Sequence, residues 1–477
     1  MKKSIVSLLL VIVLIFGMLV SMTSCFFSKK EMPNFQMPEG GYDGSEVTIV
    51  FYHTMGQTLQ AELNKAIIAF NELYPNITIE AKQIGGYDDV RDQISTELNA
   101  QRQPNLAYCY PDHIALYNKA GAVVTLDQFI ESTQEITLAD GSKDILGLTA
   151  EQIADFKAAG FWDEGIFPDG KMYSLPLSKS TELLFYNADF FAEHNLTVPT
   201  TWAEMETLCK KILEIDKNCI PLGYDSEANW FITLCEQYGY PYTSAEGENK
   251  FLFDTEDHYE FVEMIRRWYK EGYVTTQEIY GAYTSTLFTE TASDKVKSYM
   301  SIGSSGGTAH QAPTADGNGD YPFNVGIATI PQVNPAAPKA ISQGPSLCIL
   351  QNENPQEVIA SWLFAKFLTT DLAFQADFSM ASGYVPVIAS ATNDPFYQEF
   401  LSKANGSDYL TALGASVCLN QSNAYFTSPA FSGSSVARDQ VGQLLFTCMT
   451  EPWSDAETRA KIAEAFKAAV AKCKANS

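Results

Sequence analysis

The chain has few basic residues and few histidines. It contains 31 Lys+Arg against 57 Asp+Glu, which gives a formal net charge of −26, and only five histidines. Nucleic-acid-binding proteins depend on basic side chains that neutralise phosphates, so we exclude a nucleic-acid partner. Charged residues make up 18% of the chain and hydrophobic residues 46%, which excludes an intrinsically disordered protein. A length of 477 residues is sufficient for two domains.

A metal-binding pattern of cysteine and histidine is also lacking. There are nine cysteines without a C-x-x-C pair, and the histidines are not clustered, whereas structural zinc sites use closely spaced ligand pairs. We therefore expect no metal and no cofactor. Most cysteines after the N-terminal region are expected to be small buried hydrophobic residues. Disulfides would be compatible with an extracytoplasmic location, but the spacing does not assign any pair.

Enzyme motifs are absent or incomplete. Residues 303–307 match G-x-S-x-G, but His310 is the only later histidine and no acid lies between it and Ser305. Residues 316–320 begin like a calcium loop, but Tyr321 and Ile327 replace its glycine and its glutamate. There is no H-E-x-x-H and no P-loop. We expect a protein that is not an enzyme and has no catalytic residues.

The N-terminus has the pattern of an export signal. Two lysines precede an uncharged, apolar run at residues 4–24, and small residues precede Cys25, as in the bacterial lipobox. We predict a signal peptide at residues 1–24 and a lipid on Cys25. An uncleaved anchor helix and a buried helix are the alternatives. Residues 25–45, rich in proline and glycine, are predicted to be a flexible tether, so the protein is expected to be extracytoplasmic and anchored to the membrane.

The first part of the mature chain alternates between two periodicities. Runs of β-branched and aromatic residues predict strands, and helically spaced apolar residues predict helices between them, at residues 47–52, 59–70, 77–79, 90–98 and 106–110. This order indicates a parallel sheet with helices on its faces. Because ligands bind beyond the carboxyl ends of such strands, we expect residues 52–57, 85–87 and 110–113 to face a cleft.

In the rest of the chain, the predicted secondary structure changes from helical to mixed α/β and back to helical. A hydroxyl residue and an acid at residues 199–204 indicate a helix start, residues 324–330 indicate a strand, and residues 358–368 and 457–474 indicate helices. We predict an α/β protein with two lobes that the chain crosses more than once. The expected N-terminal lobe is residues 46–155 plus about 296–345, and the expected C-terminal lobe is about 156–295 plus 346–477. Ligand sites lie preferentially at such interfaces.

An ordered set of short motifs is similar to family 1 extracellular solute-binding proteins of ABC importers. Each motif is loose alone, but together they follow the family's order over nearly the whole mature chain. They are Phe51-Tyr52-His53-Thr54-Met55, Phe70-Asn71-Glu72-Leu73-Tyr74-Pro75, Gly170-Lys171-Met172-Tyr173-Ser174-Leu175-Pro176, Phe185-Tyr186-Asn187, Pro199-Thr200-Thr201-Trp202 and Ser382-Gly383-Tyr384-Val385-Pro386. The resemblance implies a type II periplasmic-binding-protein-like fold, with discontinuous lobes joined by hinge segments. It also implies a monomer that closes on a small polar solute and docks on ABC permease subunits.

Within this family, the chain most resembles the members that bind glycerol 3-phosphate. The stacking tryptophan of these members matches Trp230 after deletion of one residue from the loop before it. Two features depart from their pattern: Pro111 replaces a glutamate, so we assign its role to Asp112, and their second tryptophan, just before the first, has no counterpart in this chain. The resemblance implies two groups of ligand-binding residues, the phosphate group Arg438, Ser180, Ser304, Tyr384 and the Gly344 backbone, and the glycerol group Tyr87, Asp112 and Trp230.

The chemistry of these residue types is consistent with an anionic ligand. The planar guanidinium of Arg438 suits a phosphate, and residues 304–307 offer hydroxyls and unobstructed N–H groups. Each position also has a structural alternative. Arg438 could lie on the surface or pair with Asp439, Ser304 could belong to an ordinary turn, and the aromatic residues could pack in a core.

Three alternative functions are compatible with these observations. The first is capture of glycerol 3-phosphate or a glycerophosphodiester for delivery to a permease. The second is the same fold with a neutral oligosaccharide, stacked on aromatic faces, in which case Arg438 would not contribute to affinity. The third is an extracellular enzyme or adhesin, which would show turnover or a macromolecular partner.

Overall fold

The computed structural model describes residues 34–404 and 409–477. Its strands, in chain order, are β1 (Val47–His53), β2 (Ile77–Gln83), β3 (Leu106–Cys109), β4 (Glu135–Thr137), β5 (Lys143–Ile145), β6 (Leu175–Pro176), β7 (Glu182–Asn187), β8 (Leu222–Tyr224), β9 (Val274–Thr276), β10 (Met300–Ser304), β11 (Val325–Thr329), β12 (Ala340–Ile341), β13 (Ser346–Ile349) and β14 (Tyr425–Phe426).

The α-helices are α1 (Gln57–Leu73), α2 (Tyr87–Ala100), α3 (Pro111–Lys119), α4 (Asp127–Ile130), α5 (Ala150–Ala159), α6 (Ala188–Glu193), α7 (Trp202–Ile215), α8 (Glu227–Tyr238), α9 (Glu256–Lys270), α10 (Gln277–Tyr280), α11 (Ser285–Phe288), α12 (Pro355–Thr370), α13 (Leu372–Ser382), α14 (Ala389–Thr392), α15 (Pro395–Ser402), α16 (Leu410–Asn420), α17 (Ser434–Thr450) and α18 (Asp455–Asn476). Short 3₁₀ helices lie at Trp162–Gly165, Ser305–Gln311 and Ser422–Ala424. The predicted start of α7 is confirmed, because Thr201 and Glu204 form a reciprocal capping box there.

The first sheet contains the three strands predicted near the N-terminus. β1 lies between β2 and β3 and is parallel to both, with Val47 opposite Ile77 and Phe51 opposite Leu106. The full order is β2–β1–β3–β13–β6, and β13 is antiparallel to both of its neighbours. The alternation of strand and helix therefore gives the predicted parallel arrangement, extended by two strands from later in the chain.

A second sheet has the order β11–β7–β10–β8–β9. β10 is antiparallel to β7 and parallel to β8. Each sheet has its own buried core: Trp362 of α12 packs in the first, and Trp230 and Trp268 pack in the second. The predicted two-lobed α/β architecture is confirmed.

The predicted lobe boundaries do not agree with the sheets. Residues 346–349 form β13 inside the first sheet, although they were assigned to the C-terminal lobe. Residues 300–304 and 325–329 form β10 and β11 in the second sheet, although they were assigned to the N-terminal lobe. The boundaries were wrong because they were placed where the local composition and the predicted elements change. Lobe membership depends instead on which strands pair in a sheet.

The chain passes between the two lobes beside Lys179 and Ser180, which connect β6 to β7. Lys179 exchanges two backbone hydrogen bonds with Val385, and Ser180 exchanges two with Gln343, in the segment that leads back to β13. β12 and β14 form a further two-stranded parallel ladder. The last helices, α17 and α18, then pack on the second core. These adjoining segments are the predicted hinge connections.

The end of the predicted tether is folded. Phe35 is buried and stacks on Phe129 with ring centroids 5.1 Å apart, and its N–H donates to Gln351 Oε1 at 2.8 Å. The side chain of Gln356 donates to the carbonyl of Gly41 at 2.8 Å. The prediction of a flexible tether is wrong for residues 34–45, because an aromatic side chain and two glutamines fix them on the first lobe.

The predicted signal peptide at residues 1–24 and the predicted lipid on Cys25 lie outside the described residues. Among the helices that are described, none is both long enough and apolar enough to cross a membrane. The eight described cysteines are free and buried, which confirms the prediction that they act as small core residues. The described ranges also contain no group of three or more Cys, His, Asp or Glu residues that could hold a metal ion.

Candidate functional site

A cavity of about 1120 Å³ lies where the two lobes meet. The first sheet contributes the segments that follow three strands, and these are the segments that the sequence predicted to face a cleft. The second lobe contributes residues after β8 and β10, and the hinge contributes Ser342, Gln343 and Gly344. The rim residues supplied by the first lobe include Thr54, Met55, Gly56, Gly86, Tyr87, Tyr110, Pro111, Asp112 and His113.

Four tyrosines form one wall of the cavity. The Tyr87 ring stacks on Tyr110 at 4.3 Å and on Tyr108 at 5.6 Å, measured between centroids. The Tyr87 hydroxyl lies 3.4 Å from the Tyr384 hydroxyl. Burial raises the pKa of Tyr87 and of Tyr384, so both phenols keep their protons and can donate hydrogen bonds. This wall presents neutral donors and aromatic faces to a ligand.

A loop rich in serine and glycine faces this wall from the second lobe. Ser304 Oγ donates to Ser180 Oγ at 3.1 Å, and the N–H of Gly306 donates to Ser304 Oγ at 3.2 Å. Ser304, Gly306 and Gly307 line the cavity, while Ser180 is buried behind Ser304. A Cβ on Gly306 would lie 2.5 Å from Tyr384 Cζ, so glycine is needed for the loop to approach the tyrosine. A Cβ on Gly307 would contact nothing within 4 Å.

Gly344 allows the hinge strand to pass close to its neighbour. Its φ is +106°, a conformation that L side chains rarely adopt. A Cβ at this position would lie 2.3 Å from the carbonyl oxygen of Ser178. Gly344 also lines the cavity, where the resemblance implied a residue that binds a ligand through its main chain.

Arg438 lies on α17 and lines the cavity. Its Nε is 3.4 Å from Asp112 Oδ2, and its Nη1 donates to Asn229 Oδ1 at 2.5 Å. The side chain is 31% exposed, so it does not point into bulk solvent. The alternative pairing with Asp439 is not observed, because Asp439 pairs with Arg91. The guanidinium is held in the cleft by a carboxylate and an amide.

Two pairs of neighbouring side chains each join a residue that was assigned to the phosphate with one that was assigned to the glycerol. Arg438 was assigned to the phosphate and Asp112 to the glycerol, yet their charged groups are neighbours. Tyr384 and Tyr87 were likewise assigned to opposite ends, yet their hydroxyls are 3.4 Å apart. The structure therefore brings these predicted residues together as neighbours in one cavity.

Residues 65–401 match the family model described as bacterial extracellular solute-binding protein. The chain belongs to this family. The resemblance drawn from the sequence motifs is thus confirmed, and this protein is a solute-binding protein of an ABC importer. Its relatives are binding proteins rather than enzymes.

Curated relatives of this solute-binding protein include the sn-glycerol-3-phosphate-binding periplasmic protein UgpB of two enteric bacteria. The protein from Salmonella typhimurium is 24% identical over 384 residues, which cover 76% of this chain and 80% of the relative. The protein from Escherichia coli K12 is 23% identical over 387 residues, with the same coverage.

Solved structures with the same fold bind different kinds of ligand. UgpB from Mycobacterium tuberculosis in complex with glycerophosphocholine aligns with a TM-score of 0.69 and 17% identity, over 89% of this chain and 99% of that one. The cyclic α-maltosyl-1,6-maltose binding protein from Arthrobacter globiformis aligns with a TM-score of 0.65 and 16% identity, over the same shares. At these identities the likeness shows the fold alone.

Trp230 of this solute-binding protein does not lie in the cleft. It is fully buried and stacks on Tyr224 with centroids 4.6 Å apart, beside Trp202 and Trp268. The neighbouring residues Ala228 and Asn229 line the cavity instead. A large apolar indole on the inner face of α8 gains more from core burial than from a polar cleft, and this places Trp230 behind the binding surface.

Sequence reasoning missed two acids on the cleft floor. Glu182 at the start of β7 accepts a hydrogen bond from Tyr224 at 2.5 Å, and burial raises its pKa to about 8. Asp225 accepts from the N–H and the hydroxyl of Thr284, at 2.6 and 2.7 Å, and burial raises its pKa as well. The signal available in the sequence was a glutamate directly before the apolar run of β7, where a core strand would have no reason to carry a charge.

The cavity carries more acids than bases, even though the raised pKa of Glu182 keeps that side chain neutral at pH 7. Among the described residues that line it, only Lys179 and Arg438 are Lys or Arg, and each is paired, Lys179 with Glu164 and Arg438 with Asp112. A ligand with two negative charges would therefore meet a field that opposes it, whereas a neutral or zwitterionic solute would not. The acids that line the cavity are Asp88, Asp89, Asp112, Glu164, Glu182, Asp225, Glu227, Glu278 and Asp439.

Proposed function

We propose that this protein captures a glycerophosphodiester in the tyrosine-walled cleft and delivers it to the permease of its importer. The observation that carries the proposal is convergence of residues chosen from the sequence. Six of the eight predicted ligand-binding residues line one cavity, and a seventh, Ser180, is hydrogen-bonded to Ser304 at its edge. Their positions in the sequence span more than 340 residues, so this convergence supports a common ligand.

The phosphodiester group would be held by Arg438, whose planar fork can bind two oxygens at once. The hydroxyls of Ser304 and Tyr384 would donate to the same group. A ligand that takes Arg438 away from Asp112 leaves that carboxylate free to accept a glycerol hydroxyl. This exchange explains why the two side chains can be neighbours in the free protein and still both bind the ligand.

The charge of the cleft favours a ligand without net negative charge. A glycerophosphodiester with a cationic head group, such as glycerophosphocholine, carries one negative and one positive charge. The tyrosine faces and the surrounding carboxylates suit a quaternary ammonium, which aromatic rings bind through their electron-rich faces. We therefore expect glycerophosphocholine to bind more tightly than glycerol 3-phosphate.

The cavity also favours a second candidate, a neutral oligosaccharide. A volume of about 1120 Å³ is large for a single glycerol derivative, and acids that accept hydroxyl hydrogens beside stacked tyrosines suit sugar rings. In that case Arg438 would serve to fix Asp112 and would not contact an anion.

Calorimetric titration with glycerophosphocholine, glycerol 3-phosphate and maltotriose tests both candidates. We expect Arg438→Gln to weaken binding of glycerophosphocholine by more than about tenfold, as expected for loss of a buried charge-assisted contact. Arg459→Gln is the control, because Arg459 is 38% exposed and pairs with Glu256 and Glu263 away from the cleft. If Arg438→Gln leaves the affinity unchanged, or if only maltotriose binds, the phosphodiester assignment is incorrect.

We also propose that the mature protein is a monomer held outside the cytoplasm by a lipid on Cys25. The small residues before Cys25 and the apolar run at residues 4–24 support this anchor. A Cys25→Ser variant is expected to lose the lipid and to be retained less well by membranes during fractionation. Equal retention of wild type and variant would contradict the proposal.

A further inference from the structure

Helix α17 presents two consecutive residues of opposite charge to the first lobe. Arg438 faces Asp112 of α3, with 3.4 Å between Nε and Oδ2. Asp439 faces Arg91 of α2, with 3.3 Å between Oδ2 and Nη1. α17 packs on the second core, whereas α2 and α3 follow strands of the first sheet. Two ion pairs of reversed polarity therefore join the lobes side by side.

Arg91 is held in place by its own helix before it meets the second lobe. Its Nε donates to Asp92 Oδ1 at 2.8 Å, and its Nη1 lies 3.0 Å from Asp88 Oδ1. The Arg91 side chain is 14% exposed, so it is not a freely moving surface group. A guanidinium fixed in this way loses little side-chain entropy when Asp439 approaches, which makes the pair more favourable than an ordinary surface ion pair.

The two ion pairs differ in their relation to the ligand. Arg438 and Asp112 both line the cavity, and a bound ligand would compete with Asp112 for Arg438. Of the second pair, Asp439 lines the cavity but Arg91 does not, so a ligand that engages Arg438 leaves the Arg91 guanidinium to Asp439. A bound ligand would thus break the ion pair between Arg438 and Asp112, and the ion pair between Arg91 and Asp439 would then be the one of the two that still joins the lobes.

We propose that Arg91 and Asp439 are positioning residues that hold the lobes together while Arg438 exchanges Asp112 for the ligand. This inference rests on the proposed function, because it assumes that the ligand engages Arg438. Through its pair with Asp439, Arg91 contributes to affinity without lining the cavity. It acts on the closed form, and it therefore slows release more than it speeds capture.

A double-mutant cycle on the full mature protein tests the proposal. Arg91→Gln and Asp439→Asn are each expected to weaken glycerophosphocholine binding about two- to five-fold, mainly through faster dissociation, and the double variant is expected to be no weaker than either single variant. Arg459→Gln and Glu263→Gln form the control, since this pair has a similar separation of 3.2 Å but lies within the second lobe, with an arginine that is 38% exposed against 14% for Arg91. The control cycle should leave affinity and dissociation rate unchanged.

Small-angle scattering of the free protein provides a readout that does not depend on the ligand. Asp439→Asn and Arg91→Gln should each increase the radius of gyration relative to wild type, and raised salt should remove the difference. The double variant Arg91→Gln/Asp439→Asn should increase the radius no more than either single variant. An unchanged radius in the single variants, or an equal change in the control pair, would overturn the proposal. If glycerophosphocholine does not bind at all, the proposed function fails, and the scattering result still decides the role of Arg91 and Asp439.

Discussion

The approach of the Gly306 backbone to the Tyr384 ring gives a sharp test of the site. A methyl group in Gly306→Ala would lie 2.5 Å from Tyr384 Cζ and 2.7 Å from Cε1. Carbon atoms in contact are normally about 3.5–4.0 Å apart, so the ring or the loop must move by roughly 1 Å. Overpacking of this kind costs about 1–3 kcal/mol.

The cost falls on the arrangement in which the two lobes meet, because Gly306 follows β10 of the second sheet and Tyr384 packs against the first core. Since 1.4 kcal/mol corresponds to a factor of ten, the dissociation constant should rise about 5- to 140-fold. Calorimetric titration with glycerophosphocholine or maltotriose measures this change, and thermal unfolding of the free protein reports any separate loss of stability.

Gly307→Ala is the control, because a Cβ on Gly307 has no atom within 4 Å although the residue lines the same cavity. We expect its affinity to match that of wild type. If Gly306→Ala also binds like wild type, Tyr384 does not need its present position for ligand binding. If both variants lose affinity equally, the loss arises from stiffening of the loop and not from the contact with Tyr384.

Two further predictions concern buried residues near the cleft. Because burial raises the pKa of Glu182 to about 8, the folded protein binds a proton that the unfolded chain releases near pH 4.5, and the free energy of unfolding should fall as the pH rises between these values. Glu182→Gln should reduce this fall in denaturant titrations at several pH values, and an identical slope in wild type and variant would contradict a raised pKa. Trp230→Ala should lower the free energy of unfolding by about 3–5 kcal/mol, by loss of a fully buried indole, yet leave the dissociation constant within about twofold. A large loss of affinity in a folded Trp230→Ala protein would show that the indole reaches the ligand.

The parallel half of the first sheet could be predicted because its information is local. β-branched runs and helical spacing mark β1, α1, β2, α2 and β3 within one continuous segment. β13 could not be placed in the same way, since four residues, Ser346–Ile349, carry no signal that names β3 as their partner. The lobe boundaries failed for this reason, and a change of composition near residue 300 was no substitute for knowledge of strand pairing.

The candidate site shows the same limit. Strand ends predicted the rim of the cleft, and the resemblance to the solute-binding family pointed to Arg438. The ion pair between Arg438 and Asp112 joins residues far apart in the chain, so no local pattern reveals it. Trp230 looked like a stacking residue because aromatic side chains serve both cores and sugar sites, and only the packing of α8 separates the two uses.

The position of β13 between β3 and β6 has a consequence for biogenesis. The first sheet is incomplete until residues 346–349 arrive, although its first strand begins at Val47. Pairing over such a sequence separation is slow, since the loop must close before the contacts form. Until β13 pairs with it, β3 has an unpaired edge, the kind of edge that favours aggregation. A chain that ends before residue 346 should accumulate as insoluble material and not as an independently folded lobe.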